Sequence, residues 1–119
     1  MGWGAGRTTT VSFPQRPIDV YNALTRIGPG VDGLGPAMPH PESWMVMFSK
    51  GVGLTSWGER VTAQVTQGPD GRTWVTITSV LEVGLVDVWG KNDDHVNAIC
   101  NALCAQLGQA LVVRPLGDA

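Results

Sequence analysis

The chain is 119 residues long, 43% hydrophobic and 15% charged, with eight Lys or Arg against ten Asp or Glu for a net charge of −2. One domain spanning 1–119 accounts for that length, and it buries roughly two-thirds of the surface its unfolded chain exposes. The basic residues are too few and too scattered to neutralise a track of phosphates, which excludes nucleic acid as an expected partner, and no window approaches the ~18 uninterrupted apolar residues of an integral membrane segment.

Residues 1–6, M-G-W-G-A-G, hold no basic region leading into an apolar stretch. No secretory signal is read there, so the cytoplasm is the expected location, and these six residues are expected to be flexible. The run R-T-T-T-V-S-F at 7–13 is β-branched and aromatic and stops at Pro14, which predicts a strand with Thr9, Val11 and Phe13 on one face. Pro17 suits the first turn of a helix. Val20, Leu24 and Ile27, with Tyr21 beside them, follow at helical spacing until Gly28-Pro29 closes the element. Residues 28–41 are so dense in glycine and proline that a long loop is expected.

At 44–49, Trp44, Val46 and Phe48 alternate with Met45 and Met47, and both sets are apolar. Such a strand is covered on both faces or lines an interface. At 59–66, Val61, Ala63 and Val65 alternate with polar residues; Q-G-P-D-G at 67–71 turns the chain. The return at 72–80 sets Val75 and Ile77 against Trp74, Thr76 and Thr78, an antiparallel hairpin. An apolar extension to Val88 is interrupted by Gly84, where a bulge or bend is expected. Over 93–112, Val96, Ile99, Cys100, Leu103, Leu107 and Leu111 form one helical stripe, and Arg114-Pro115 ends it, leaving 114–119 as a tail. The fold class is therefore α+β in the order β-α-β-β-β-α, with one further strand possible. A single antiparallel, curved sheet packs on a long C-terminal helix.

Chemistry-bearing groups are sparse. Cys100 and Cys104 share a helix face, but no further cysteine completes a metal site and His95 points off that face, so both read as reduced, buried thiols. No phosphate-cradling loop, nucleophile elbow or HExxH occurs, and no catalytic residue, metal or cofactor is assigned. The conspicuous features are Trp57-Gly58-Glu59 and Trp89-Gly90-Lys91, two aromatic-glycine-charge triplets of opposite sign. Glu59 and Lys91 suit an ion pair across the two triplets, contributing under ~1 kcal/mol if exposed. Trp57 and Trp89 are either core aromatics at a sheet end or walls of a ligand pocket or contact surface. Trp44 and Trp74 join them as candidate ligand or interface residues.

The motifs Ser56-Trp57-Gly58-Glu59 and Asp87-Val88-Trp89-Gly90-Lys91-Asn92, with T-T-V-S-F-P ahead of a short helix, resemble a small bacterial α+β family that carries no assigned activity. More distantly, V-S-F-P-x-x-P-I-D-V-Y-N-A-L is similar to the opening of the Bet v 1/START-type helix-grip domains. That resemblance implies a curved antiparallel sheet gripping a long C-terminal helix, with apolar ligands held between them. The chain is short for that fold. Three functions are thus carried forward: a self-associating interaction or structural module, a binder of an apolar small molecule or lipid, and, least favoured, an enzyme. A symmetric homodimer is expected, covering the sheet's open face or the strand at 44–49.

Overall fold

A computed structural model describes residues 6–27, 37–50, 59–81 and 91–118. It contains one curved antiparallel sheet of six strands with two helices, so the α+β reading holds. In chain order the elements are β1 (Gly6–Phe13), α1 (Pro17–Thr25), β2 (Met38–His40), a 3-10 turn (Pro41–Ser43), β3 (Met45–Lys50), β4 (Glu59–Gln67), β5 (Thr73–Leu81), α2 (Lys91–Leu107) and β6 (Leu111–Asp118). Across the sheet the order is β2-β3-β4-β5-β1-β6. β1 is thus inserted between β5 and β6, and α2 carries the chain over it.

Period-2 alternation decides which side of each strand meets the helices. Val11 and Phe13 of β1, Val46 and Phe48 of β3, Val61, Ala63 and Val65 of β4, and Val75 and Ile77 of β5 form one buried face. Against it lie Val20, Tyr21, Ala23 and Leu24 of α1 and Val96, Ile99 and Leu103 of α2. α1 crosses β3 and β4, and α2 crosses β5 and β1. A void large enough for water would leave exposed area on its walls. Phe13, Leu24, Val46, Ile77 and Ile99 have none.

The opposite face is a carpet of hydroxyls. Thr8 and Thr10 of β1 oppose Thr78 and Thr76 of β5, and both pairs hydrogen-bond through their Oγ1 atoms at 3.0 Å. Cross-strand threonine pairs of this kind add a few tenths of a kcal/mol each. The hairpin between β4 and β5 is fixed locally. The Gly68 N–H donates to the Arg72 carbonyl at 2.8 Å, Gly71 adopts φ +81°, and Asp70 Oδ1 accepts from the Arg72 N–H at 3.1 Å and the Trp74 indole at 3.2 Å. The Trp74 ring lies directly over Gly68, where a Cβ would collide with the indole. Gly68→Ala is therefore expected to displace the ring and cost roughly 1–3 kcal/mol. A shifted Trp74 indole proton resonance and a lowered Tm would register it; an unchanged pair would show that the ring sits elsewhere.

Four readings of the sequence are corrected. The closing helix ends at Leu107, not near 112, because Gly108 takes φ +71° and Gln109 φ +54° and the pair turns the chain back. Residues read as the helix end and the 114–119 tail instead form β6, paired antiparallel to β1, so α2 is not C-terminal. Within the expected 28–41 loop, Met38–His40 form β2 against β3. Gly6, placed in the flexible lead, already belongs to β1. Residues 28–36 and the 82–88 extension with Gly84 lie outside the described residues.

Candidate functional site

Of the six candidate residues, the structure describes the side chains of Trp44 and Trp74. Trp57 and Trp89 lie outside the described residues, as do the side chains of Glu59 and Lys91, so the proposed ion pair has no geometry here.

Trp44, read as the first residue of a strand, precedes β3 and caps the 3-10 turn instead. The 3-10 turn ends on Trp44 at φ 55°, ψ 39°, a left-handed conformation costing a bulky residue about 1–3 kcal/mol. Its ring lies beside Val65 and Tyr21 and is left 40% exposed. Local bonds hold the conformation. The Val65 N–H donates to the Trp44 carbonyl at 2.9 Å, and Gln64 Nε2 reaches the Ser43 and Trp44 carbonyls at 2.6 and 3.1 Å. The ring meets Tyr21 edge-on, with centroids 5.6 Å apart and planes at 74°, while the Tyr21 hydroxyl donates to the Met45 carbonyl at 3.3 Å.

The result is an open groove of about 380 Å³ lined by Pro17, Trp44, Val65, Thr66 and Gln67. Its walls are mostly apolar, with the start of α1 on one side and the end of β4 below. Trp74 sits across β4, opposite Thr66, but its indole is committed to Asp70 and its ring to Gly68. The two tryptophans therefore have separate neighbours and do not form one pocket.

Among the described residues no three His, Cys, Asp or Glu side chains gather as they would to hold a metal ion. Cys100 and Cys104 are free and half-buried against the core, rather than fully buried as the sequence suggested. Burial pushes the Cys100 thiol from 9.0 up to about 11, and the neighbouring Cys104 adds to the rise through charge and a hydrogen bond. A folded value above the unfolded one means the protonated thiol favours the fold. That contribution is complete below pH 9 and is lost as pH climbs from 9 to 11. At pH 8, Cys100 is expected to react with a thiol reagent about tenfold more slowly than in the unfolded chain, since a smaller thiolate fraction is partly offset by greater nucleophilicity. Equal rates before and after unfolding would contradict the burial.

One region escaped the sequence reading: the edge strand β6, where Leu111, Val112 and Val113 are 57%, 68% and 39% exposed. The signal was present in Gly108, a helix-stopping residue, followed by the β-branched pair Val112-Val113. Leu107 and Leu111, four apart, concealed it by prolonging the helical stripe. No family model, curated protein or solved structure matches the chain.

Proposed function

We propose that this protein is a non-catalytic interaction module that self-associates. The observation carrying this reading is the placement of Leu111 and Val112, the two most exposed large apolar side chains among the described residues at 57% and 68%, which lie with Val113 on one sheet edge. Exposed apolar groups gathered on an unpaired strand are what association covers. No described helix is long and apolar enough to cross a membrane. Sedimentation equilibrium at micromolar concentration is the test. A mass about twice the 12.6 kDa chain is expected, and a strictly monomeric mass would overturn the reading.

The alternative, an apolar small molecule or lipid between sheet and α2, meets a core in which Phe13, Ile77 and Ile99, described on both sides of that space, have no exposed area. The groove at Trp44 suits such a ligand better, since its volume of about 380 Å³ exceeds the ~300 Å³ at which ligand pockets begin. Under this reading an apolar fluorescent probe binds the parent, and Trp44→Ala weakens it at least fivefold. Binding unaffected by that change would remove the groove from consideration.

A further inference from the structure

We propose that the open face of the β2–β3 hairpin is a binding site for a soft monovalent metal ion, Cu(I), held by the thioethers of Met38, Met45 and Met47 and the imidazole of His40; this does not depend on self-association. The register makes the placement. Met38 stands opposite Met47 and His40 opposite Met45, and directly opposed residues of a ladder project from the same face. Val46, between the two methionines of β3, is buried on the helix side, so all four donors lie on the other side. Three of the chain's four methionines and one of its two histidines are thereby gathered on one short hairpin.

The array has the dimensions of a metal site. Opposed Cβ atoms lie ~5 Å apart, and same-face neighbours along a strand ~7 Å. Each methionine carries its sulfur out on rotatable bonds, so donors at the corners of such a rectangle can converge on one ion. The turn joining the strands is held at three points. The Trp44 N–H donates to the Pro41 carbonyl at 3.2 Å, the Ser43 hydroxyl to the His40 carbonyl at 3.3 Å, and Gln64 Nε2 to the Ser43 carbonyl at 2.6 Å. A fixed turn fixes the register, and with it the spacing of the donors. Met38 and His40 are exposed and Met45 and Met47 half-buried, so an ion reaches them from solvent.

Ordinary packing does not account for these methionines. Their neighbours on β4 are Thr62, opposite Met47, and Gln64, opposite Met45, and beyond them Thr78 and Thr76 of β5 continue a polar surface. The chemistry of the donors selects the ion. Neutral thioethers are soft and favour Cu(I), whereas Mg(II), Ca(II) and Mn(II) take carboxylate and carbonyl oxygen. Zn(II) closes its shell with thiolate, imidazole and carboxylate, and no three such groups gather among the described residues. The filled d shell of Cu(I) imposes no geometry, so three sulfurs and a nitrogen in a shallow array suffice. Cys100 and Cys104 lie on α2, across the sheet, and form no part of this array.

Thiols also take soft ions, so the experiment reads the methionines themselves. Ag(I), a redox-inert stand-in for Cu(I), is titrated into the intact chain labelled with carbon-13 at its methionine methyls, past the amount that Cys100 and Cys104 consume. The methyl resonances of Met38, Met45 and Met47 and a ring proton of His40 are expected to shift together to one saturation point, while Zn(II) leaves the methyls in place. Met47→Leu keeps the volume and removes the sulfur. It should retain the parent's far-UV spectrum and weaken binding about tenfold or more, the scale on which even outer-shell partners act. Cu(I) titrated without oxygen against a chromophoric chelator should show the same loss. Methyls that stay put once the thiols are saturated, that move independently of one another, or that Zn(II) moves equally would overturn the site. A Met47 variant that binds like the parent would do the same, and a chain taking Ag(I) at these residues but no Cu(I) beyond what its thiols hold would overturn the ion.

Discussion

Leu103→Ala is expected to cost roughly 2–5 kcal/mol, lowering Tm by about 10 °C or more in a domain of this size. Leu103 is 1% exposed on the face of α2 that meets the sheet, among the side chains that close the interior over β5 and β1. Truncation removes the transfer free energy of the lost methyl groups and leaves a cavity that close-packed neighbours fill only in part. Asn101→Ala, on the exposed side of the same helix, should stay within ±0.5 kcal/mol. Thermal melts of the pair thus test the rotation of α2. A Leu103 variant melting within a degree or two of the parent would mean the helix is turned otherwise.

The second large effect is expected at Arg72, through hydrogen bonding instead of volume. Its Nε donates to Ser12 Oγ at 2.9 Å, and its Nη2 donates to the carbonyls of Ser12 at 3.1 Å and Gln109 at 2.8 Å. One guanidinium therefore joins the β4–β5 hairpin, the buried end of β1 and the turn that launches β6. Arg72→Ala leaves the Ser12 groups, in a residue only 1% exposed, short of a donor. A loss of about 2–4 kcal/mol is expected, since bonds from charged donors contribute ~1.5–3 kcal/mol each and do not add fully. Arg72→Lys should rescue little, because one ammonium cannot span three acceptors as the planar fork does. Hydrogen exchange locates the damage: β6 amides should lose more protection than those of β3 and β4. Uniform loss across the sheet would show that Arg72 does not anchor that strand.

Alternation and helical spacing made most of the interior legible. Thr9, Val11 and Phe13, the hairpin set Val61, Val65, Val75 and Ile77, and the helix set Val96, Ile99 and Leu103 all fall on the face assigned to them, because each is a run long enough to express one period. The failures share a physical origin. At Gly108 and Gln109 two consecutive left-handed residues reverse the chain within what looks like one helical stripe, and spacing carries no trace of that reversal. At Trp44 a single left-handed residue ends the 3-10 turn ahead of β3, a conformation that alternation alone does not announce, and the ring rests on Tyr21 at 40% exposure. The candidate site suffered most, since it depends on where individual rings point. Neither Trp44 nor Trp74 betrays in sequence that one would rest on Tyr21 and the other on a glycine.

The insertion of β1 between β5 and β6 has a consequence for how the chain comes to be folded. Thr8 meets Thr78 seventy positions later, and Thr9 meets Arg114 at a separation of 105. Neither flank of β1 exists until those segments have left the ribosome, and at ~5–20 residues per second the interval to β5 alone is about 3–12 s. Throughout it, a strand rich in threonine waits with both ladders empty, while β3 and β4 pair and β5 then joins them by a local hairpin. Closure around β1 is then the step with the highest contact order, and it should govern the folding rate. The hydroxyl carpet serves that wait well: Thr8 and Thr10 keep one side of the unpaired strand wettable, where valines would have invited collapse onto a neighbouring chain.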